Sequence, residues 1–262
     1  MEKQEIKIEE IRYVVFNPTG NITMLVETEV PREDQAEVAL KLMEKEKAVE
    51  QVGFISYDDN GDITLRMAGG EFCGNATMST AVYFAEKKNL KSADVKVYIL
   101  DDKKIIDVNA KKNEDDSWQG KEKMPEVQSI SKIDIEEYKS LPVIKYDSIS
   151  HIIFPTIDIE VNKKRMENLI KDYCKRLDAK ALGFMFYEKE SSRLTPLVYV
   201  NNANTLFWEN SCATGTAAVG VHLANEGKKQ VEISIMQPAG KLSVLANPNG
   251  MVYLIGEVKF VS

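Results

Sequence analysis

Two stretches, CGNATMSTAVYFAEKK (73–88) and CATGTAAVGVHLANEG (212–227), determine how the rest of this chain is expected to be arranged. When they are aligned on their cysteines, Thr77 coincides with Thr216, and neither stretch carries a charged side chain before its final turn. A helix that is small or apolar on every face is typical of a protein interior. We therefore predict two buried helices, each beginning at a cysteine and each surrounded by a sheet.

The elements around these helices follow one order in both halves of the chain. Strand patterns bounded by turn residues occur in the first half at 11–16, 22–28, 52–57, 63–67, 95–100 and 105–109. They recur in the second half at 142–146, 149–155, 181–188, 194–200, 205–208, 231–236, 242–246 and 251–258. Helical spacing of apolar residues predicts further helices at 32–47 and 163–177. We predict an α+β protein with two similar facing domains, 1–125 and 126–262, the last few residues being free to pack on the first domain.

The polar and charged stretch 111–123 lies close to the middle of the chain. Its composition favours a linker between the two predicted domains. A long, solvated hairpin loop explains the same composition equally well, so both interpretations stay open at this point.

Composition and charge limit the classes of partner. A net charge of −7 argues against a nucleic-acid partner, which would require a basic face. No uncharged apolar run approaches the ~20 residues of a membrane helix, and the charged N-terminal stretch MEKQEIKIEEIRYVVF lacks the apolar segment of a secretory signal. We expect a cytoplasmic protein with no membrane partner.

The cysteine and histidine counts limit the chemistry further. Three cysteines, an odd number without a CxxC motif, argue against a disulfide framework and favour reduced thiols. Two histidines make a histidine-rich metal site improbable, so no metal is expected. Cys174 lies on an ordinary amphipathic stretch and is interpreted as a packing residue.

A cysteine placed just before a buried helix has chemical consequences. The first turn leaves free N–H groups, and the helix dipole adds partial positive charge there. We expect this field to lower the pKa of each thiol from about 8.5 towards neutrality. Two such sites on facing domains suggest a symmetric reaction. Racemisation is such a reaction, with Cys73 and Cys212 as the acid and the base on opposite faces of one carbon.

The same helix starts can stabilise the carbanion-like intermediate of a racemisation. The amides of Gly74, Asn75, Ala213 and Thr214 are suited to hold the substrate carboxylate, which takes up the developing charge. Each sulfur should lie roughly 3–3.5 Å from the reacting carbon, which places the two sulfurs about 6–7 Å apart.

The motifs GGEFCGNAT and ENSCATGTAA resemble the two catalytic segments of the diaminopimelate epimerase and proline racemase superfamily. The order of elements agrees with that superfamily over nearly the whole chain. The resemblance implies two similar domains, each with a curved, mainly antiparallel sheet around a central helix, and a site in the cleft. It also implies catalysis without a cofactor, and it allows a homodimer.

Within that superfamily the sequence departs from the diaminopimelate epimerases. An arginine follows the glutamate before their second cysteine, whereas Glu209 is followed here by Asn210. Asparagine cannot replace a bidentate grip on a carboxylate at little cost. FNPTGNITML, EQVGF and WENSC are instead similar to cofactor-independent histidine racemases, which implies histidine as the small-molecule substrate. Ala213 stands where most members of the superfamily have glycine.

Further site residues follow from the resemblance by position. Glu209 is expected to bind the substrate α-ammonium, and Asn21 and Gln51 are expected to hydrogen-bond the amino group or side chain. His151 occupies the place of a histidine beside the thiols, where it could accept a proton from a cysteine or orient it. His222, in the middle of the second cysteine-headed helix, is interpreted as a packing residue.

Two alternatives remain open from the sequence. The first is another enzyme on the same scaffold, a diaminopimelate epimerase or a different amino-acid racemase. The second is a protein without catalytic activity, a thiol redox switch or ligand-binding module with a reversible Cys73–Cys212 disulfide.

Overall fold

A computed structural model of the chain describes residues 7–58, 61–248 and 250–261. Residues 1–6 of the charged N-terminal stretch lie outside these ranges. The first half contains α1 (Arg32–Lys45), α2 (Gly74–Lys87), β1 (Tyr13–Pro18), β2 (Thr23–Val26), β3 (Gln51–Tyr57), β4 (Ile63–Met67), β5 (Ser92–Ile99), β6 (Lys104–Lys112) and β7 (Trp118–Lys123). The second half contains α3 (Ile159–Arg176), α4 (Ala213–Gly227), β8 (Ser129–Ile135), β9 (Tyr138–Lys145), β10 (Ser150–Pro155), β11 (Ala181–Glu188), β12 (Arg193–Val200), β13 (Thr205–Trp208), β14 (Val231–Gln237), β15 (Gly240–Ala246) and β16 (Val252–Phe260).

One hydrogen-bonded sheet runs through both halves of this α+β fold. Strands β1 to β7 are neighbours in chain order, followed by β16, β15, β14, β12, β11, β10, β9 and β8. Strand β1 also pairs with β16, so the strands of the first half and β16 form a closed, barrel-like ring. The final strand of the chain is therefore shared, because it pairs with β7 and β1 as well as with β15.

The parallel strand pairs mark where helices cross the sheet. Strands β2–β3, β4–β5, β10–β11 and β12–β14 are parallel, and the remaining pairs are antiparallel. A parallel pair requires a crossover connection, which helices α1, α2, α3 and α4 supply in that order. The cysteine-headed helices α2 and α4 are thus the second crossover of each half.

Helices α2 and α4 are buried along most of their length and pack against the surrounding strands. Small residues allow this close approach. A Cβ atom added to Gly120 would lie 2.9 Å from the Met78 sulfur, and one added to Gly220 would lie 2.7 Å from a methyl group of Val244. Both distances are too short for close-packed atoms, so the glycines fix how near strand and helix can come. No helix among the described residues is long and apolar enough to cross a membrane.

The prediction of a linker at 111–123 is wrong. Strand β6 continues to Lys112, and β7 pairs with both β6 and β16. In β7, Trp118, Gly120 and Glu122 point inward while the residues between them are exposed. A glycine and a glutamate at inward positions hide the apolar alternation of a strand. The hairpin alternative is correct only for the short turn between the two strands.

Candidate active site

Cys73 and Cys212 occupy matching positions in the two halves. Each is the residue immediately before its helix, with φ and ψ of −130° and 111° at Cys73 and −127° and 109° at Cys212. The side chain of Thr77 donates a hydrogen bond of 2.8 Å to the Cys73 carbonyl, and Thr216 donates one of 2.7 Å to the Cys212 carbonyl. The threonines matched in the sequence therefore hold the two cysteine backbones in the same way.

The starts of helices α2 and α4 meet each other. A Cβ atom added to Gly74 would lie 2.9 Å from the Cβ atom of Ala213. The side-chain amide of Asn75 donates a hydrogen bond of 3.1 Å to the carbonyl of Ser211, across the two halves. The first amides of a helix have no acceptor within it, and they carry the positive end of its dipole. The amides of Gly74, Asn75, Ala213 and Thr214 thus belong to two converging helix ends.

Cys73 is partly exposed, and its sulfur meets a chain of side-chain amides. The Cys73 thiol donates to the side-chain oxygen of Gln51, with 2.9 Å between the two atoms. The amide nitrogen of Gln51 in turn donates to the side-chain oxygen of Asn21, and it donates to the hydroxyl of Thr23 over 2.7 Å. The structure therefore brings Asn21 and Gln51 together with Cys73.

Cys212 is buried, and its sulfur has different partners. The Thr214 hydroxyl lies 3.7 Å from the Cys212 sulfur and 2.9 Å from Nε2 of His151. The Glu209 carboxylate also accepts a hydrogen bond from the Cys212 thiol. On the backbone side, the Cys212 N–H donates to Oε1 of Gln237 over 2.7 Å. The structure therefore gathers Glu209, Thr214 and His151 around the second thiol.

The pKa values of both thiols are raised, so the prediction of lowered thiol pKa values is wrong for this structure. Burial is the largest cause at both sulfurs, and the nearby Glu209 carboxylate adds to it. The helix starts do act in the expected direction. The N–H groups of Ala76 and Gly215 donate to the sulfurs of Cys73 and Cys212 and lower their pKa, but burial outweighs them.

Burial raises the pKa values of three carboxyl groups at the site, Glu50, Glu71 and Glu209. Burial raises the pKa of Glu209 to about 8 and that of Glu71 to about 7, and neighbouring carboxylates add to both shifts. Glu209 is therefore largely protonated at pH 7 in the substrate-free protein, and a bound cation would favour its ionised form.

His151 is fully buried and uncharged. Burial lowers its pKa to about 3. Gly183 makes room for it, because a Cβ atom there would overlap the His151 ring. The ring is packed edge-on against Tyr146, with 6.2 Å between ring centroids. A neutral imidazole at this place can accept from the Thr214 hydroxyl or donate to it. His222 is partly buried on α4, away from these partners, and burial lowers its pKa.

A narrow cleft of about 40 Å³ lies beside these groups. The polar side chains of its wall are Glu50, Gln51, Glu71, Thr205 and Glu209, and the apolar ones include Leu40, Met43, Val198 and Phe207. A volume of this size is too small for an amino acid, and neither Cys73 nor Cys212 is among the residues that line it.

Some site residues were missed by the sequence reasoning. Glu50 directly precedes Gln51 in EQVGF and Glu71 lies two residues before Cys73 in GGEFC, and this proximity is the only signal the sequence offers for them. Gln237, which links the Cys212 N–H to Thr216, lies at the end of a strand without any motif. Among the described residues, no group of three or more His, Cys, Asp or Glu side chains could hold a metal ion.

Comparisons with known proteins agree with one another. The family profile described as "Histidine racemase CntK N-terminal domain" matches residues 10–261. A histidine racemase of Fusobacterium nucleatum subsp. nucleatum is 32% identical over 98% of this chain and 97% of its own length. A histidine racemase of Staphylococcus aureus is 30% identical over 89% of this chain and 88% of its own length.

Solved structures share the fold at low sequence identity. A predicted epimerase from Pseudomonas aeruginosa has a TM-score of 0.73 at 11% identity, covering 97% of this chain and 98% of that one. A probable proline racemase from Agrobacterium radiobacter has a TM-score of 0.69 at 12% identity, covering 96% of this chain and 91% of that one.

Proposed function

The chain belongs to the histidine racemase family, and from this premise we propose that it interconverts L- and D-histidine with Cys73 and Cys212 as the two proton carriers. The observation that carries the proposal is the matched placement of both cysteines at the starts of two buried helices that meet each other. Thiols in such a position can act on opposite faces of one carbon held between the helix ends.

The proposed reaction moves one proton in each of two steps. One cysteine, as the thiolate, removes the proton from Cα, and the C–H electron pair moves towards the carboxylate. The other cysteine, as the thiol, then gives its proton to the opposite face of Cα and is left as the thiolate. The converging amides of Gly74, Asn75, Ala213 and Thr214 hold the carboxylate while it carries the added charge. For these steps we expect the sulfurs about 6–7 Å apart.

Glu209 is proposed to bind the substrate α-ammonium. It lies beside both thiols, because its carboxylate hydrogen-bonds Cys212 and raises the pKa of Cys73. When it pairs with the ammonium, its charge is offset and the free thiols become easier to ionise. Neutral His151, acting through the Thr214 hydroxyl, is proposed to orient Cys212 and to stabilise its thiolate.

The lining of the cleft supports histidine rather than a substrate with a distal carboxylate. Among the described residues that line it, none is lysine or arginine, whereas Glu50, Glu71 and Glu209 are acidic. Asn210, which replaces the arginine of the epimerases, donates to Glu50 and so leaves no cationic grip. Asn21 and Gln51 are proposed to border the amino group or the imidazole of the substrate.

The proposal also retains the broader expectations. Residues 1–125 and 126–262 are taken as two similar domains, each a curved sheet around α2 or α4, which move apart to admit the substrate. Three free cysteines suit a reducing compartment such as the cytoplasm. A homodimer remains a prediction of the family resemblance.

The direct test is racemisation of L-histidine by purified protein without pyridoxal phosphate, followed by chiral chromatography. Cys73→Ala and Cys212→Ala should each lower turnover by at least about 10²–10⁴-fold, the usual value of a general acid or base. Cys174→Ser is the matched control, because serine can keep the hydrogen bond to the Ala179 carbonyl. A requirement for pyridoxal phosphate, or full turnover in both alanine variants, would contradict the proposal. Racemisation of a different amino acid alone would overturn only the substrate.

A further inference from the structure

A continuous chain of hydrogen bonds leads from the second half of the protein to the Cys73 sulfur. The side-chain amide of Asn210 donates to one oxygen of Glu50, and the side-chain amide of Asn21 donates to the other over 2.7 Å. Asn21 then accepts from Gln51, whose oxygen accepts from the Cys73 thiol over 2.9 Å. We call Glu50, Asn21 and Gln51 the amide relay.

Glu50 determines the direction of every hydrogen bond in the amide relay. Burial raises the pKa of Glu50, whereas the hydrogen bonds from the Asn21 and Asn210 amides lower it and favour the ionised form, which can only accept. Asn21 then turns its NH₂ group towards Glu50 and its oxygen towards Gln51. That oxygen requires a donor, which is the NH₂ group of Gln51. The Thr23 hydroxyl favours the same orientation. It donates its one proton to the backbone carbonyl of Asn21, so towards Gln51 it can only accept.

The last member of the amide relay therefore presents an acceptor to the sulfur. With its NH₂ group occupied by Asn21 and Thr23, Gln51 can offer only its oxygen to Cys73. An acceptor favours S–H over a thiolate, because a thiolate facing a carbonyl oxygen has no proton to share. We infer that Glu50 is a positioning residue that acts through Asn21 and Gln51 to hold Cys73 as the thiol in the substrate-free enzyme.

The orientation of the amide relay does not depend on the proposed function, but the role of Cys73 as a proton donor in racemisation does. Holding Cys73 as the thiol makes it the proton donor when the first substrate binds, and it leaves Cys212 to act as the base. At Cys212 the acceptor is the Glu209 carboxylate, whose charge the substrate α-ammonium would offset, and the Thr214 hydroxyl can then donate to the sulfur. The two cysteines thus face different acceptors on the same backbone geometry, and only the acceptor at Cys212 is a charged group that the substrate can neutralise.

Direct charge effects on Cys73 come from other groups. The carboxylates of Glu209 and Glu71 raise the pKa of Cys73, and the N–H of Ala76 lowers it. A hydrogen bond donated by Gln51 would lower this pKa as well, but in the observed orientation the Gln51 oxygen accepts from the thiol. Glu50 acts on Cys73 through the orientation of the amides. An effect of Glu50 on the Cys73 pKa through the orientation of the amides can therefore be distinguished by experiment from an effect through its charge.

Glu50→Gln is the informative substitution because it keeps the shape and removes the constraint. A glutamine at this position can donate to the Asn21 oxygen, after which Asn21 donates to the Gln51 oxygen. Gln51 then turns its NH₂ group towards the Cys73 sulfur, and Thr23 can rotate its hydroxyl to donate to Gln51. The reversed chain keeps every contact between the side chains, gives up the bond from Thr23 to the Asn21 backbone carbonyl, and presents a donor that stabilises the thiolate.

The experiment measures alkylation of Cys73 by iodoacetamide against pH in the full chain carrying Cys212→Ala, with the modified peptide quantified by mass spectrometry. Glu50→Gln should raise the rate at pH 8 about tenfold, as expected for a pKa lower by one unit. Glu50→Asp, which keeps an acceptor, should stay near the parent rate. Glu44→Gln, the same change at an exposed position on α1, is the control for net charge. An unchanged rate in Glu50→Gln, or an equal rise in Glu44→Gln, overturns the inference.

A double-mutant cycle shows whether Glu50 acts on Cys73 through the amide relay or directly through its charge. Asn21→Ala disconnects Glu50 from Gln51, so adding Glu50→Gln to it should leave the alkylation rate unchanged. A further rise of the same size in that background means that Glu50 acts through its charge, and the relay is then wrong. Because alkylation does not require turnover, these outcomes are independent of histidine racemisation. Loss of the proposed function would appear instead as full racemase activity in Cys73→Ala.

Discussion

The surroundings of Cys73 and Cys212 share a backbone and differ in almost every side chain. Both cysteines have the same φ and ψ, and both have a threonine hydroxyl bound to their carbonyl. Cys73 is partly exposed and faces an amide, whereas Cys212 is buried beside a hydroxyl and a carboxylate. Symmetric backbones can place two sulfurs on one carbon, while asymmetric side chains allow one thiol and one thiolate at the same pH.

Substitution of the residue that follows Cys73 should have the largest effect on the matched arrangement of the two helix starts. Gly74→Ala introduces a methyl group 2.9 Å from Ala213 and against the Glu122 carboxyl, so it must push the helix starts apart. We expect a loss of stability of about 1–3 kcal/mol and a fall in kcat of about 100-fold, the effect of a 1 Å displacement of reacting groups. Chemical denaturation and the racemase assay measure the two effects.

Ala213→Gly is the matched control for this prediction, because it only removes a methyl group from the same contact. It should keep most of the activity. If Ala213→Gly lowers kcat as much as Gly74→Ala does, the contact between the helix starts does not position the thiols.

His151 lies beside Cys212 and has no counterpart beside Cys73. Because burial lowers its pKa to about 3, the free energy of unfolding should depend on pH. The unfolded chain binds a proton near the ordinary value of 6.5 and the folded protein does not, so stability from this group is lost as the pH falls below 6.5. Between pH 6.5 and 5 the loss should be about 2 kcal/mol.

Urea unfolding of the wild type and of His151→Gln at several pH values isolates this contribution. The raised pKa values of Glu71 and Glu209 act in the opposite direction, but they are present in both proteins and cancel in the comparison. Parallel stability curves for the two proteins would show that His151 is not buried as a neutral group.

The threonines that hold the cysteine carbonyls should give the smallest effects. Thr77→Val removes one hydroxyl bond, while the backbone N–H of the same residue still donates to the carbonyl. Thr216→Val also removes the acceptor of the Gln237 side-chain amide and leaves a buried donor without its partner. We expect a loss of stability of about 1 kcal/mol for Thr77→Val and about 2 kcal/mol for Thr216→Val, measured by thermal unfolding. Equal losses would show that Gln237 does not depend on the Thr216 hydroxyl.

Much of the fold could be predicted because its signals are local. The uncharged helices at Cys73 and Cys212 and the matched threonines are visible in the sequence, and the shared fold and family are shown by the structure and its relatives. Strand β7 was missed because its inward residues include Gly120 and Glu122. Its place in the sheet depends on pairing with β16, which lies far away in the chain.

The electrostatics of the site could not be predicted in the same way. A helix start favours a lower thiol pKa, and that part follows from the sequence. Burial and the carboxylate of Glu209 depend on how distant segments pack, and they reverse the sign of the shift. The role of Glu50 likewise depends on Asn21 and Asn210, which the chain brings together only when folded.

The most direct measurement is the fate of the Cα hydrogen during racemisation of L-histidine in D₂O, followed by mass spectrometry at low conversion. Two thiols on opposite faces predict that the D-histidine formed carries deuterium at Cα, while the recovered L-histidine still carries protium. D-histidine that retains the original protium, or deuterium that enters L-histidine as fast as the product forms, would contradict a site built from one sulfur on each side of the carbon.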